Sequence, residues 1–485
     1  MLREILTDAP GPNAADEFPL VVDLDGTLIK SDLLVESFFA LLSAQPLAAL
    51  RAMACLFQGK AAFKARLAAE TSLDFHSLPM NGELLELLHA EKARGRRIYL
   101  ATASDVRFAE ALAASLGLFD GVFASDGKTN LKGSVKAEAL SAAFGEKGFD
   151  YAGNAPEDMK VWARARAVLV VGASPSFARD VTSRFPEARS LDPKAPRLKD
   201  YLRALRLHQW LKNLLIFVPV LAAHRTGAGD LLLLGVAFLS FSLCASSAYV
   251  ANDLCDLGND RVHSTKRNRP LASGRIPLLH GILLVPALLA VAAALAWPLP
   301  RDFLALLAGY YALTMAYSTV FKRKATIDVL ILACLYGVRL VAGSFAAGVP
   351  LSPWLAAFSI FLFLSLALIK RCTEVIDRLA KGTGDPAGRG YLLRDLPMLE
   401  AMAASSAYVA VMVFALYINS PAVAELYRNP TYLWAICLVL FYWISRVLLM
   451  THRGEMHDDP VVFAATDPKS WVCGALVLTI AAVSV

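Results

Sequence analysis

Cysteine is sparse in this sequence, and its few copies are scattered. The 485 residues include seven cysteines: Cys55, Cys244, Cys255, Cys334, Cys372, Cys437 and Cys473. None of them forms a CxxC or another close pair, which disulfide frameworks and zinc sites require. The sequence therefore argues against both kinds of site, and we interpret the seven residues as free thiols.

The N-terminus lacks the features of a secretory signal. It carries Asp8, Asp16 and Glu17 together with Pro10 and Pro12. A signal peptide would instead begin with basic residues followed by an apolar segment. We expect residues 1–16 to form a flexible N-terminus and the domain that follows to stay in the cytoplasm.

Hydrophobic residues, by contrast, are in excess. They make up 56% of the chain, and the mean hydropathy of +0.49 is higher than a soluble chain of this length normally has. Beyond residue 200 lie apolar stretches of about 18 to 22 residues, the length that a helix needs to cross a hydrocarbon core about 30 Å thick. We predict nine transmembrane helices near residues 212–224, 231–251, 279–297, 303–320, 327–347, 354–370, 399–419, 432–450 and 470–485.

Basic residues are concentrated in alternate loops between these stretches. The loops after the second and fourth stretches carry Arg261, Lys266, Arg267, Arg269, Arg275, Lys322, Arg323 and Lys324. The intervening loops carry only Arg225, Arg301 and Arg428. Loops rich in lysine and arginine stay on the cytoplasmic side of a membrane. The pattern therefore predicts a multi-pass protein of the cell (inner) membrane with a cytoplasmic N-terminal domain.

A DxDGT motif opens the N-terminal domain. An apolar strand predicted at residues 18–22 runs directly into Asp23, Leu24, Asp25, Gly26 and Thr27. Two carboxylates two residues apart at a strand end, followed by glycine for a tight turn, can serve as nucleophile and as acid or base beside Mg²⁺. We therefore predict Asp23 and Asp25 as catalytic and metal-binding residues.

Two further motifs accompany DxDGT. A second strand, predicted at residues 97–101, ends at Thr102, and Lys136 lies beyond a predicted helix. They resemble the hydroxyl and lysine that hold phosphate in the haloacid dehalogenase superfamily. The resemblance implies an α/β domain, a Rossmannoid sheet with a helical cap, over residues 17–191. The cap is expected at about residues 31–92, where apolar residues follow helical spacing.

The fourth motif of the N-terminal domain differs from that superfamily. Asn154 stands where the first metal-binding aspartate usually lies, whereas Asp158 is present and is predicted to bind metal. One carboxylate fewer weakens the attraction for Mg²⁺. Two interpretations stay open: an active phosphatase, and an inactive domain that supports the membrane part.

Four polar residues follow the second membrane stretch. Asn252, Asp253, Asp256 and Asp260 project onto one face of a helix at about 100° per residue. Carboxylates crowded together at membrane depth are unfavourable unless they hold a cation. We predict that these four residues bind Mg²⁺ carrying a diphosphate, with Asp253 and Asp256 as the catalytic pair.

This NDxxDxxxD pattern resembles the first aspartate motif of the UbiA prenyltransferase superfamily, an all-α fold of nine transmembrane helices around a cavity. Ordinary members carry a second motif, DxxxD, after the sixth helix. Here Lys370, Arg371 and Glu374 stand in that place. Basic residues where acidic ones are expected indicate a site that binds additional phosphate.

Several other motifs resemble one branch of that superfamily, the decaprenyl-phosphate phosphoribosyltransferases. They are RxHQWxKN at 206–213, NDxxDxxxDRxHxTKRxRPLASG at 252–274, YSxxxKxxxxIDV at 317–329, YGVRLVAG at 336–343, KRxxE at 370–374 and HDDPVVFAxxD at 457–467. The resemblance covers nearly all of residues 201–485, beyond a short linker at 192–200. It implies Mg²⁺-dependent transfer of 5-phosphoribose from phosphoribosyl pyrophosphate to a polyprenyl phosphate, with release of pyrophosphate.

This reaction assigns roles to the basic residues. Pyrophosphate leaving an anomeric carbon needs its charge neutralised, and the acceptor phosphate is already anionic, so no general base is required. The residues expected to bind the phosphates are Arg267, Arg269, Lys322, Lys370 and Arg371, with Lys212 or Arg339 for the lipid phosphate. Arg339, inside a membrane helix, is expected to face an anion or a carboxylate. Glu374 is expected to hold a ribose hydroxyl.

Two alternatives stay open. An aromatic prenyltransferase using polyprenyl diphosphate would carry DxxxD after the sixth helix, which KRxxE replaces. A non-catalytic scaffold that senses lipid head groups would not explain four polar residues on one helix face. No nucleic-acid partner is expected, and a homo-oligomeric state stays open. If the leading interpretation holds, the N-terminal domain is placed to remove the 5-phosphate from the lipid product.

Overall fold

The computed structural model describes residues 18–191, 195–225, 227–382, 384–385, 389–456 and 459–485. The expected flexible N-terminus at 1–16 and part of the expected linker at 192–200 lie outside these ranges. The chain forms two compact units. The first joins the chain up to Ala204 with Val250–Leu284, and the second joins Leu205–Tyr249 with Val285–Val485.

A six-stranded sheet forms the centre of the first unit. Its strands are β1 (Leu20–Val22), β2 (Ile98–Asp105), β3 (Gly121–Ser125), β4 (Asp150–Gly153), β5 (Val168–Val171) and β6 (Arg189–Leu191). They lie in the order β3-β2-β1-β4-β5-β6, and each neighbouring pair is parallel. The strand order reverses between β1 and β4, and open α/β sheets bind ligands at the carboxyl edge of such a point. This confirms the predicted α/β domain.

Helices cover the sheet and form the cap. They are α1 (Leu33–Ala44), α2 (Pro46–Ala54), α3 (Lys60–Glu70), α4 (Gly82–Ala93), α5 (Val106–Leu116), α6 (Ser134–Phe144), α7 (Met159–Trp162), α8 (Pro175–Arg184) and α9 (Leu198–Ala204). Short 3-10 helices occupy Cys55–Gln58, Phe75–Ser77 and Pro156–Asp158. The carboxylate of Asp32 accepts hydrogen bonds from the backbone N–H groups of Leu34 and Val35 and so caps α1.

The cap is smaller than residues 31–92. Leu41, Ala49, Ala52, Phe63 and Leu67 form a small core of their own from α1, α2 and α3. Helix α4 instead buries two leucines in the core of the sheet, with the side chains of β1 and β2. The cap therefore consists of α1 to α3, and α4 belongs to the sheet layer.

The remaining helices begin with the apolar part of the chain. They are α10 (Val218–Ala222), α11 (Ala228–Cys255), α12 (Leu257–Val262), α13 (Leu278–Ala296), α14 (Arg301–Thr319), α15 (Ile327–Ala347), α16 (Pro353–Ala380), α17 (Leu396–Ile418), α18 (Pro421–Leu426), α19 (Trp434–His452), α20 (Pro460–Thr466) and α21 (Pro468–Ser484). Further 3-10 helices occupy Leu207–Phe217, Lys266–Asn268, Phe321–Arg323, Leu393–Asp395 and Pro430–Leu433.

The number of membrane-crossing helices differs from the predicted nine. Among the described residues, six helices are long and apolar enough to cross a membrane, or up to seven if α20 and α21, bent by 81°, form one span. The first predicted stretch is a 3-10 helix followed by the short α10, which contains Pro219. Helix α14 is not among the six. A multi-pass arrangement is supported, but the count of nine is not confirmed.

The segment after α11 packs with the N-terminal part of the chain, whereas the sequence predicts a boundary at residues 192–200. Helix α12 lies against α1 and against the turn Phe75–Ser77. The side chain of Arg261 on α12 forms a buried ion pair with Glu36 on α1, with N···O distances of 2.5 and 2.9 Å. A Cβ atom on Gly274 would lie 2.6 Å from the Cβ of Lys30. This close fit accounts for the position of residues 250–284 in the first unit.

Candidate functional sites

Asp23 lies at the carboxyl end of β1, buried beside Lys136. The Nζ of Lys136, in the first turn of α6, donates to Oδ1 of Asp23 at 2.6 Å and to the Tyr151 hydroxyl at 3.0 Å. The Thr27 hydroxyl donates to the other carboxylate oxygen at 3.3 Å. Burial raises the pKa of Asp23 to about 6, although the charge of Lys136 acts in the opposite direction. The ammonium group is therefore placed to hold an anion beside the Asp23 carboxylate.

Asp25 faces two hydroxyl groups from β2. Its Oδ2 accepts hydrogen bonds from Ser104 Oγ at 2.7 Å and Thr102 Oγ1 at 3.4 Å, and its Oδ1 accepts from the backbone N–H of Leu33 at 2.8 Å. Burial raises the pKa of Asp25 to about 7. A carboxyl group that is partly protonated near neutral pH can give a proton to a leaving oxygen. The structure thus brings Asp23, Asp25, Thr102 and Lys136 to one edge of the sheet.

In the fourth motif, Asp158 accepts hydrogen bonds from its own strand and loop. One oxygen of Asp158 accepts from the Tyr151 hydroxyl at 2.9 Å, and the other accepts from the backbone N–H groups of Asn154 and Ala155 at 2.9 and 3.0 Å. The Asn154 side chain lies against the DxDGT turn, where a Cβ on Gly26 would come within 2.0 Å of its Nδ2. Asp158 therefore holds its own loop, and the Asn154 side chain adjoins Gly26 of the DxDGT motif.

Lys64 is a residue at this site that the sequence did not reveal. From α3 of the cap, its Nζ donates to the Ala103 carbonyl at 2.6 Å and to Oδ1 of Asn130 at 3.2 Å. Ala103 lies on β2 between the two hydroxyl residues that contact Asp25. Lys64 therefore adds positive charge from the cap at the rim of the site.

The NDxxDxxxD residues form two pairs. Helix α11 ends at Cys255, so Asn252 and Asp253 occupy its last turn, Asp256 links it to α12, and Asp260 lies on α12. Asp253 and Asp260 are both buried, and Nη1 of Arg269 donates to them at 3.0 and 2.5 Å. The Asn252 amide donates to Asp256 at 3.0 Å.

This pairing has two consequences for the predicted roles. Arg269, predicted to bind phosphate, contacts the aspartates themselves, whereas Arg267 is exposed in the turn Lys266–Asn268. Among the described residues, no group of three or more His, Cys, Asp or Glu side chains is arranged to hold a metal ion. Two buried carboxylates that share one guanidinium nitrogen nevertheless have the chemistry of a cation site.

Two lysines of the second unit converge on Asp459. Lys212 from the 3-10 helix Leu207–Phe217 and Lys370 from α16 donate to Oδ2 of Asp459 at 2.7 and 2.8 Å. The Tyr336 hydroxyl donates to its Oδ1 at 3.3 Å. Lys212 is buried, while 39% of the Lys370 side chain is exposed. We call Lys212, Lys370, Asp459 and Tyr336 the lysine cluster, in which two positive charges share one carboxylate.

Arg339 is buried next to this cluster. Its Nε donates to Oδ1 of Asn213 at 2.8 Å, and its other nitrogens donate to the Leu335 carbonyl and, at 3.3 Å, to the Tyr310 hydroxyl. Aromatic rings surround the guanidinium, including that of Phe241 at 5.3 Å. These acceptors are neutral, whereas the sequence predicted an anion or a carboxylate. Arg339 thus links α15 to the 3-10 helix Leu207–Phe217 and to α14.

The two cations of the KRxxE motif have different partners. Lys370 contacts Asp459, whereas Arg371 pairs with the fully buried Asp328 at 2.6 Å and with Glu374. Neighbouring helical residues point about 100° apart, which separates the two side chains. The Arg371 guanidinium therefore binds two carboxylates, those of Asp328 and Glu374. Lys322 lies in the turn Phe321–Arg323.

The sequence does not identify Asp459 as the partner of the two lysines or Asp328 as the partner of Arg371. Both residues stand in motifs that were recognised, HDDPVVFAxxD and YSxxxKxxxxIDV. The position of a carboxylate in a motif does not by itself indicate which cation it binds in the folded chain. Asp459 pairs with Lys212 across 247 positions of the chain.

Two family models match this chain. The UbiA prenyltransferase family matches residues 213–466, and the haloacid dehalogenase-like hydrolases match residues 20–163. The two matches fall on the two predicted domains.

Three relatives extend these matches. An uncharacterized protein, y4nM, of Sinorhizobium fredii is 39% identical over 95% of this chain and 90% of its own length. The nodulation protein NoeC of Azorhizobium caulinodans is 38% identical over 56% of this chain and 89% of its own. A decaprenyl-phosphate phosphoribosyltransferase of Mycolicibacterium smegmatis is 35% identical over 42% of this chain, which spans 66% of that relative's length.

Proposed function

Because this chain belongs to the UbiA prenyltransferase family and carries an N-terminal haloacid dehalogenase-like domain, we propose that it transfers 5-phosphoribose to a polyprenyl phosphate. The donor is phosphoribosyl pyrophosphate, and the products are polyprenylphosphoryl-5-phosphoribose and pyrophosphate. The similarity to decaprenyl-phosphate phosphoribosyltransferases, over part of their length, supports this choice of reaction.

The lysine cluster is the observation that carries the proposal. Within α16, at the position where a prenyl diphosphate enzyme of this family would carry carboxylates, Lys370 joins Lys212 on one shared carboxylate. The excess of positive charge favours an anionic group, and the exposed part of Lys370 can reach it. Both substrates of the proposed reaction carry phosphate.

The reaction requires charge stabilisation and no general base. The bond between C1 of the ribose and the pyrophosphate oxygen breaks, the pyrophosphate leaves with the electron pair, and an oxygen of the lipid phosphate bonds to C1. Mg²⁺, when bound, supplies positive charge to the pyrophosphate. Asp253 and Asp256, with Asn252 and Asp260, are the residues that would hold it. Lys212 and Lys370 hold a phosphate group and orient it.

We further propose that the N-terminal domain removes the 5-phosphate from this product. Asp23 attacks the phosphorus, the ribose 5-oxygen leaves, and Asp25 gives it a proton. Water then releases inorganic phosphate from Asp23. Lys136 and Thr102 hold the phosphate oxygens during both steps.

A labelling assay tests the transferase. Membranes containing the protein are mixed with labelled phosphoribosyl pyrophosphate and polyprenyl phosphate, with Mg²⁺ or with EDTA. We expect a labelled lipid only with Mg²⁺, and a loss of about tenfold or more for Lys370→Met, which removes a charged contact to phosphate. Lys381→Met, an exposed lysine near the end of the same helix, is the control. A labelled product from polyprenyl diphosphate and an aromatic acceptor instead would contradict the proposal.

The phosphatase is tested separately. Purified protein is incubated with polyprenylphosphoryl-5-phosphoribose, and inorganic phosphate is measured for the wild type and for Asp23→Asn. We expect the variant to release no phosphate while it retains transferase activity. Equal release by both proteins would exclude Asp23 as the nucleophile.

A further inference from the structure

The second helix of the cap turns its large apolar side chains outward. Helix α2 buries only the small residues Ala49 and Ala52 in the cap core. The large residues of α2 and of the following turn are exposed: Leu47 (71%), Leu50 (60%), Met53 (43%), Leu56 (44%) and Phe57 (97%). We call these five residues the apolar ridge. A surface helix of a soluble domain normally has the opposite arrangement, with large apolar residues inside.

The ridge is continuous along one side of the cap. Leu47, Leu50, Met53 and Phe57 recur at spacings of three and four residues, which places them on one face of a helix. Together they form an exposed apolar patch of the kind that marks an interaction site for a protein or a membrane.

Positive charge accompanies the ridge. No aspartate or glutamate occurs between Glu36 and Glu70, whereas this stretch contains Arg51, Lys60, Lys64 and Arg66. Arg51 lies between Leu50 and Met53 in the sequence, Lys60 follows Phe57 by three residues, and both basic residues are exposed. An apolar strip flanked by basic residues complements an anionic lipid surface.

We propose that the apolar ridge inserts into the surface of an anionic bilayer and docks the cap there. The 13 residues Pro46–Gln58 span about 20 Å as helix, too short to cross a hydrocarbon core but suitable for lying in the interface. The apolar helices of the same chain cross the membrane, and the 14 Cα–Cα steps from Leu191 to Leu205 reach at most about 50 Å. The first unit is thus always close to a lipid surface, which favours lipid over a partner protein as the occupant.

Docking of the ridge would bring the cap to a lipid-linked substrate. Helix α3, which carries Lys64 at the rim of the Asp25 site, follows the ridge after a single residue, Gly59. A head group at the bilayer surface could then enter beneath the cap without its lipid leaving the membrane. Membrane docking does not depend on phosphatase activity and is tested without it.

Photocrosslinking to lipid tests the proposal. The full-length protein carries p-benzoylphenylalanine in place of Phe57 and is reconstituted into vesicles of equal parts phosphatidylcholine and phosphatidylglycerol. Lipid adducts are quantified by mass spectrometry after illumination. The matched control carries the same group in place of Glu146, which is exposed just before β4, at the sheet edge opposite the DxDGT loop. We expect at least about fivefold more lipid adduct at position 57 than at position 146.

A charge-reversal variant identifies the lipid contribution. Arg51→Glu combined with Lys60→Glu, both exposed positions, is expected to lower the adduct at position 57 at least about threefold in these vesicles and to have little effect in pure phosphatidylcholine. Equal lipid adduct at positions 57 and 146 would overturn the proposal. So would adducts of position 57 that join mainly another protein chain.

Discussion

At the scale of single residues, the carboxyl groups of Asp23 and Asp25 make the first unit sensitive to pH. Burial raises their pKa values from an ordinary 3.8 to about 6 and about 7. Well below the ordinary pKa of 3.8 both groups are protonated in the folded and in the unfolded chain, and their contribution to stability is fully present. As the pH rises from about 4 through 6 and 7, the unfolded chain ionises both groups while the folded chain still holds their protons, so stability is lost until the folded groups have ionised too.

We therefore expect the free energy of unfolding of the first unit, measured in EDTA, to fall between pH 4 and pH 8. Asp25→Asn should remove roughly 1 to 3 kcal/mol of that fall, because it removes a buried group that ionises in this range. Hydrogen exchange of the β1 peptide as a function of pH provides the measurement. Asp126→Asn changes an exposed carboxylate and should leave the profile unchanged. A wild-type profile that rises with pH would contradict the expected direction.

The contacts of individual residues could be predicted only in part. Asp23, Asp25 and Thr102 could be placed together because they lie at or near the carboxyl ends of neighbouring parallel strands, which meet at one edge of a sheet. The hydrogen bonds of Asp158 could not be predicted. The sequence does not reveal that the Tyr151 hydroxyl and the backbone N–H groups of Asn154 and Ala155 donate to both its carboxylate oxygens. The roles of individual site residues remain predictions.

At the scale of elements, the buried ion pair between Glu36 and Arg261 joins α1 to α12. Arg261→Met leaves the Glu36 carboxylate buried and without its guanidinium partner, which should cost about 3 to 5 kcal/mol. Replacing both residues by methionine should recover most of this loss, because apolar side chains of similar volume often substitute for a buried pair. Hydrogen exchange of residues 257–276 measures the effect.

An exposed ion pair is the control for these replacements of Glu36 and Arg261. Lys381 and Asp377 form an ion pair on the surface of α16, and their replacement should change stability by less than about 0.5 kcal/mol. If the double variant loses as much stability as Glu36→Met and Arg261→Met lose in sum, Glu36 and Arg261 are not energetically coupled.

A glycine in α15 sets a close approach between elements. A Cβ atom on Gly343 would lie 1.8 Å from the carbonyl oxygen of Ile216, whereas one on Gly337 of the same helix would meet nothing within 4 Å. Gly343→Ala should therefore lower stability by about 1 to 3 kcal/mol or more. Gly337→Ala should not lower it. Thermal unfolding in detergent compares them, and equal melting temperatures would exclude the close approach.

The sequence predicts that the apolar stretches are helical better than it predicts how many helices cross the membrane. Apolar stretches long enough to span a membrane gave helices, because length and hydropathy act locally. The first stretch became a 3-10 helix ending at Phe217 with a short α10, since Pro219 cannot donate the backbone hydrogen bond that a longer helix would need. The break at α12 depends on contacts with the cap, which no local pattern reveals.

At the scale of the whole molecule, the distribution of basic loops predicts the orientation of the chain in the membrane. In a variant without native cysteines, Glu146→Cys and Lys324→Cys should both react with a membrane-impermeant maleimide only from the cytoplasmic side. Arg301→Cys and Arg428→Cys should react from the other side. Comparing the labelling of intact cells with that of opened cells shows from which side of the membrane each cysteine reacts. Reaction of position 146 together with 301 would contradict a cytoplasmic N-terminal domain.

The ion pair between Glu36 and Arg261 also has a consequence during synthesis. The two residues are 225 positions apart, so ribosomes that add about 5 to 20 residues per second need roughly 10 to 45 seconds to make the second after the first. During that interval helix α11 has also been made and must enter the membrane. The first unit therefore cannot finish folding before membrane insertion has begun, and until then Glu36 lacks its guanidinium partner.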